Sequence, residues 1–129
     1  MKIALAQLNY TIGDIDANAN RIIESIRQAE KQGANLVVFA EYAVSGTPAY
    51  DLLRKTTFLT LCEEALERIA AECRNITAIV GSPMLTERGA VSAAVVMRKG
   101  QIDQVIEKQN ITARREMGFI VAGAGYQII

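Results

Sequence analysis

Histidine and tryptophan are absent from the 129 residues, and cysteine occurs only at Cys62 and Cys73. The lack of histidine removes the usual proton shuttle and a common metal ligand. Both cysteines fall in a segment that is predicted to be one helix, where they lie roughly 16 Å apart along its axis. Because a disulfide needs Cα atoms within about 7 Å, we expect two reduced thiols that serve as packing residues in a cytosolic protein.

Long apolar runs are also lacking. No stretch approaches the roughly 20 residues of a membrane span, and the apolar start of the chain is too short for a signal peptide. Neither sign of charge is in excess, because 14 basic residues balance 14 acidic ones. Half of the residues are hydrophobic, a composition typical of one folded domain. We therefore expect a cytoplasmic protein without a nucleic-acid or membrane partner.

Hydrophobic periodicity predicts an α/β fold with a mixed sheet covered by helices. Apolar residues at helical spacing indicate two helices, and a nearly continuous apolar run at the start is typical of a strand buried on both faces. Strand–helix–strand order predicts parallel pairing first, and a tetrapeptide turn, Arg98–Gln101, predicts an antiparallel hairpin later. The predicted elements are the strand Lys2–Leu8, a helix from a cap at Asp16 or Asn18 to about Gln32, the strand Leu36–Ala40, the helix Phe58–Cys73, and the strands Thr77–Gly81, Ala90–Met97 and Gln101–Lys108.

Two ionisable residues stand where predicted strands end, Glu41 and Lys108. In open α/β sheets, ligands bind just outside the carboxyl ends of the strands. A carboxylate and an ammonium in one cleft can act as base and electrostatic stabiliser. By pattern alone, the more common explanation of both residues is that they are solvated loop residues, and a further alternative is an ion pair in a non-catalytic module. A separation within about 4 Å in a cleft would favour catalysis.

Three segments, taken in order, resemble motifs of the nitrilase (carbon–nitrogen hydrolase) superfamily. N-L-V-V-F-A-E-Y-A-V-S-G resembles the motif whose glutamate is the general base, and that residue maps to Glu41. I-E-K-Q-N resembles the motif of the catalytic lysine, which maps to Lys108, and R-E-M-G-F resembles a feature whose glutamate positions the lysine, which maps to Glu116. The resemblance implies an α-β-β-α sandwich, of which residues 1–129 would form the amino-terminal portion of a single domain.

A further segment, Ser45–Leu53, resembles a stretch of glutamine-dependent NAD⁺ synthetases. In that group a nitrilase-like domain hydrolyses glutamine, and the ammonia passes to a carboxyl-terminal synthetase domain that amidates adenylated deaminated NAD. The resemblance implies glutamine as substrate, a homo-oligomer, and no cofactor or metal for the amidohydrolase part, with ATP and Mg²⁺ needed only by a synthetase domain. The alternatives are another nitrilase-type amidase or a non-catalytic α/β assembly module.

The sequence departs from the family pattern at several points. Arg114 stands where many of these synthetases have tyrosine, and Tyr42 stands where leucine or methionine is frequent. The family's third motif, which contains the nucleophilic cysteine, is absent, as is the S-G-G-x-D-S loop of a synthetase domain. The resemblance therefore implies that this chain needs the missing part of its own domain. We expect the isolated chain to be inactive and, because of exposed sheet edges, prone to self-association.

Overall fold

A five-stranded sheet with strand order β1-β2-β3-β4-β5 is the frame of the structure. The computed structural model describes residues 1–112 and 116–125. The elements are β1 (Ile3–Leu5), α1 (Ile15–Lys31), β2 (Leu36–Val38), a 3₁₀ helix (Tyr50–Arg54), α2 (Thr56–Ala70), β3 (Thr77–Thr86), β4 (Gly89–Arg98) and β5 (Gln101–Glu107). The predicted order of strands and α-helices is confirmed, and the 3₁₀ helix is an additional element between β2 and α2.

Helices α1 and α2 contact each other and cover one face of the sheet. Their apolar stripes are fully buried, as shown by Ile22 and Ile26 of α1 and Leu66 and Ile69 of α2. The predicted cap of α1 at Asp16 or Asn18 is wrong: α1 begins one residue after Asp14, whose carboxylate accepts the amide proton of Ala17 at 3.2 Å. A carboxylate at this position satisfies an amide that has no partner within the helix.

Parallel and antiparallel pairing divide the sheet as predicted. Strands β1, β2 and β3 are parallel, and β3, β4 and β5 are antiparallel. The turn between β4 and β5 has left-handed backbone at Lys99 and Gly100, the geometry of a two-residue hairpin loop. The sequence thus predicted a mixed sheet, and its α/β class is confirmed.

Strand β3 is twice as long as predicted, because the prediction stopped at Gly81. It continues through Pro83 to Thr86 and pairs with β4 along its whole length. The ladder with β2 ends at Ile79, and no described strand pairs with β3 on that side around Pro83, so this part of β3 is an edge of the sheet. Proline is tolerated at such an edge, where its missing amide proton is not needed.

Strand β1 is not buried on both faces, which corrects the prediction made for Lys2–Leu8. It has three residues, and the side chains of Ile3 and Leu5 are 52% and 79% exposed. The register places Leu5, Val38 and Ile79 side by side on the sheet face away from the helices. The described residues therefore form one helical layer and one sheet, which is the α-β half of the expected sandwich.

The predicted packing role of the cysteines is confirmed, since both Cys62 and Cys73 are free and fully buried. In the described residues, no helix has the length and apolarity required to cross a membrane. Arg114, where the sequence departs from the family pattern, lies outside the described residues, as do residues 126–129.

Candidate active site

The ends of two strands bring the candidate base, Glu41, and the candidate stabilising cation, Lys108, together. Glu41 lies three residues after the end of β2, and Lys108 directly follows β5. The Lys108 amide donates to the carbonyl of Ser92 on β4 at 2.8 Å, and the Lys108 carbonyl accepts from the Gly123 amide at 2.8 Å. Lys108 is therefore fixed on both sides by its backbone. This anchoring directs the long side chain towards the end of β2.

The Lys108 ammonium bridges two carboxylates. Its Nζ lies 3.0 Å from Oε1 of Glu41 and 2.8 Å from Oε1 of Glu116. The structure thus brings together all three residues named from the sequence. The separation between Glu41 and Lys108 is below the 4 Å that distinguished a catalytic pairing from two solvated residues.

The two carboxylates differ sharply in environment. The Glu41 side chain is 43% exposed, whereas that of Glu116 is 2% exposed. The pKa of Lys108 is raised above its usual value: burial acts to lower it, but the hydrogen bonds to Glu116 and Glu41 outweigh this effect. Lys108 is therefore a stable cation at neutral pH, and Glu41 is the carboxylate that a ligand can reach.

Sequence reasoning missed two hydroxyl groups in the site. Ser92 Oγ donates to Oε1 of Glu41 at 2.9 Å, and the Tyr42 phenol donates to Oε2 of Glu116. Ser92 is a polar residue within the apolar run of β4, and this interruption is the feature of the sequence that could have pointed to it. Tyr42 was noted only as a departure from the family pattern, and its contact with a residue 74 positions away required the tertiary structure.

The backbone that carries Glu41 passes very close to β3. A Cβ atom added to Gly81 would lie 2.4 Å from the Ala40 carbonyl oxygen and 2.7 Å from Cα of Glu41. The Val44 amide also donates to the Gly81 carbonyl at 3.2 Å. Glycine at position 81 is therefore required on steric grounds for Glu41 to reach Lys108.

The following loop is held against the segment before α1. The fully buried Asn18 side chain donates to the carbonyls of Thr11 and Val44 at 2.8 and 3.0 Å, and it accepts the Thr11 amide at 2.8 Å. The Gly13 amide donates to the Ser45 carbonyl at 2.9 Å. These bonds hold the loop after Glu41 in one conformation.

An open cavity of about 440 Å³ lies beside the Glu41–Lys108 pair on the sheet face away from the helices. Its walls are mainly apolar and include Val38, Ile79 and Ile106. The described residues contain no cluster of side chains suited to a metal ion. The cavity is thus an apolar recess with a carboxylate and an ammonium at its rim.

No thiol of this chain reaches the cavity. Cys62 and Cys73 belong to the core between the sheet and the helices, on the opposite face of the sheet. Burial raises the pKa of each thiol to about 12, so both are protonated at neutral pH. Among the described residues, the site therefore offers a base and a cation but no thiol nucleophile.

Comparisons with known proteins identify relatives of this chain. The carbon–nitrogen hydrolase family profile matches residues 2–121. The chain is 41% identical over 112 residues to the glutamine-dependent NAD(+) synthetase of Xanthomonas campestris, covering 86% of this chain and 20% of that protein. It is 36% identical over 110 residues to the Thermotoga maritima protein of the same name, covering 84% and 19%. This chain thus spans about a fifth of the length of these relatives.

Solved structures with a similar fold include members of the same group of enzymes and an amidase. The glutamine-dependent NAD⁺ synthetase of Acinetobacter baumannii superposes with a TM-score of 0.89 at 33% identity, covering 98% of this chain and 25% of that one. An amidase from Nesterenkonia sp. superposes with a TM-score of 0.83 at 21% identity, covering 97% and 49%. At that identity the amidase is evidence for the fold alone.

Proposed function

The chain belongs to the carbon–nitrogen hydrolase family, and from this premise we propose that it provides the general base and the catalytic lysine of a thiol-dependent glutamine amidohydrolase. The observation that carries the proposal is the position of Lys108 Nζ, within hydrogen-bond distance of both Glu41 and Glu116. One cation is thereby held at the rim of an apolar cavity, next to a reachable carboxylate.

The proposed reaction assigns one step to each group. The Glu41 carboxylate takes the proton of a thiol, and the thiolate attacks the side-chain amide carbon of glutamine. Lys108 stabilises the oxyanion that develops on the amide oxygen. Glu41 returns the proton to the leaving nitrogen, which departs as ammonia, and water then hydrolyses the thioester to glutamate and the free thiol.

The thiol must come from outside these 129 residues, because Cys62 and Cys73 lie in the core on the other side of the sheet. We propose that it belongs to a further segment that completes the domain, and that the isolated chain does not hydrolyse glutamine. The similarity to glutamine-dependent NAD(+) synthetases supports glutamine as the substrate and supply of ammonia to a synthetase domain as the purpose. ATP and Mg²⁺ would be needed only by that synthetase domain. We also propose that the protein forms a homo-oligomer.

A chimera tests the proposal directly. The 112 matching residues of the Xanthomonas campestris relative are replaced by those of this chain, and ammonia release from glutamine is measured for the chimera and for the isolated chain. We expect activity only in the chimera. Glu41→Gln and Lys108→Met should each reduce kcat at least about 10²-fold, the usual size of the loss when a general base or an oxyanion-stabilising group is removed.

Matched controls are available on the surface. Glu87 and Lys31 are exposed and lie outside the site, so Glu87→Gln and Lys31→Met should leave the activity unchanged. A folded chimera that hydrolyses other amides but not glutamine would indicate a different amidase. A folded chimera without any activity would contradict the proposal and favour a non-catalytic module. Full activity in Glu41→Gln would contradict the role of Glu41 as the general base.

A further inference from the structure

Tyr42 adopts a backbone conformation that tyrosine rarely tolerates. Its φ is 59°, in the left-handed region, where the Cβ atom comes too close to a backbone carbonyl oxygen. Such residues persist only where the surrounding structure compensates, and they concentrate at functional sites. Glycine would occupy this conformation without strain, so the tyrosine side chain must contribute something that offsets the cost.

The contribution is a hydrogen bond deep in the site. Tyr42 is 3% exposed, and its phenol donates to Oε2 of Glu116. Lys108 donates to the other oxygen of the same carboxylate, Oε1. Glu116 is 1% exposed, so its charge depends on the donors that surround it.

We propose that Tyr42 is a positioning residue that keeps Glu116 ionised and thereby holds Lys108 between the two carboxylates. A hydrogen bond to the charged form of a carboxyl favours that form. If Glu116 were protonated, the ammonium would pair with Glu41 alone. Glu41 would then be a weaker base, and Lys108 would move away from the position proposed for the oxyanion.

The effect of Tyr42 on catalysis rests on the proposed function. The effect of Tyr42 on the ionisation of Glu116 and the position of Lys108 concerns only this chain and can be tested without it. Ser92 connects the two halves of the network, since it donates to Glu41 and lies close enough to the Tyr42 phenol to lower its pKa. Burial and Glu116 nonetheless raise the Tyr42 pKa overall, so the phenol remains a donor at every pH where the site would work.

Carboxyl-carbon NMR of the 129-residue chain tests the role of Tyr42. In Tyr42→Phe, which retains the ring and loses only the hydroxyl, we expect the titration midpoint of the Glu116 carboxyl carbon to move upward by about one pH unit. The Lys108 Cε signal should follow the same transition. Tyr50→Phe is the matched control, because Tyr50 is half-exposed and packs edge-to-face against Phe119 outside the network. An unchanged Glu116 midpoint in folded Tyr42→Phe overturns the inference.

A second measurement leaves Tyr42 in place. In Glu116→Gln the phenol loses its charged acceptor, so its ionisation, followed by ultraviolet absorbance, should shift to lower pH. An unchanged tyrosine titration would also overturn the inference. In the chimera, Tyr42→Phe should lower kcat with little change in KM. A wild-type chimera without activity would refute the proposed function while leaving the NMR result standing.

Discussion

Replacement of Gly81 by alanine should move Glu41, the proposed general base. The added Cβ would lie 2.4 Å from the Ala40 carbonyl oxygen, 2.7 Å from Cα of Glu41 and 2.7 Å from the Tyr42 amide nitrogen. All three are backbone atoms, which cannot rotate away as a flexible side chain can. Reaching an ordinary contact of about 3.4 Å requires a shift of about 1 Å, and overpacking of this kind costs about 1–3 kcal/mol.

The shift has a direct effect on the site. Glu41 now lies 3.0 Å from Lys108 Nζ, and a displacement of this size away from β3 would remove the hydrogen bond. In the chimera, a misplacement of about 1 Å can cost about 10²-fold in activity. Stability and activity should therefore decline together in Gly81→Ala.

Urea unfolding, with the Lys108 Cε resonance as a local probe, measures both consequences. Gly125→Ala is the control, because no atom of the described residues lies within 4 Å of the position a Cβ would take there, and its φ is not left-handed. That variant should match the wild type or gain up to about 1 kcal/mol through the unfolded state. If Gly81→Ala unfolds at the wild-type urea concentration with an unchanged Lys108 resonance, the steric argument is wrong.

Two further predictions concern titration. Since the pKa of Lys108 is raised in the folded state, its ion pairs stabilise the fold below the usual value of 10.5 and are lost as the pH rises through the raised value. Urea unfolding between pH 9 and roughly 12 should show this loss in the wild type and not in Lys108→Arg, whose guanidinium stays charged. If the free energy of unfolding falls equally with pH in both proteins, Lys108 is not the source of the loss. The thiols of Cys62 and Cys73, buried with pKa values of about 12, should resist a thiol-specific reagent in the native protein at pH 8 and react after unfolding. Rapid labelling of either thiol in the folded chain would show that the core opens.

Much of the fold could be predicted because it depends on local patterns. The apolar stripe of α1 has the 3.6-residue period of a helix that covers a core, and its stripe residues are the buried ones. The Arg98–Gln101 turn has the residues that a tight hairpin requires, so the β4–β5 pairing followed. The boundaries of β1 and β3 did not follow, because burial and strand length depend on what lies beside each strand.

The candidate site divides in the same way. Glu41, Lys108 and Glu116 could be named from short motifs, since each motif is contiguous in sequence. Their mutual distances could not, because Glu41 and Lys108, which are 67 positions apart, meet only through the order of the strands. The contribution of Ser92 was missed for that reason: a serine within an apolar strand looks the same whether or not a carboxylate lies opposite.

The sequence by itself determined the class of the fold, the helical faces, the hairpin turn and the identities of the three ionisable candidate residues, because each is encoded in a few neighbouring positions. Only the tertiary structure decided which carboxylate is reachable and which is buried, that Tyr42 donates to Glu116, and that Gly81 lets Glu41 approach Lys108. The physical reason is that charge, burial and steric clearance are properties of atoms close in space. Here those atoms come from β2, β3, β4 and the turn after β5, which are distant along the chain.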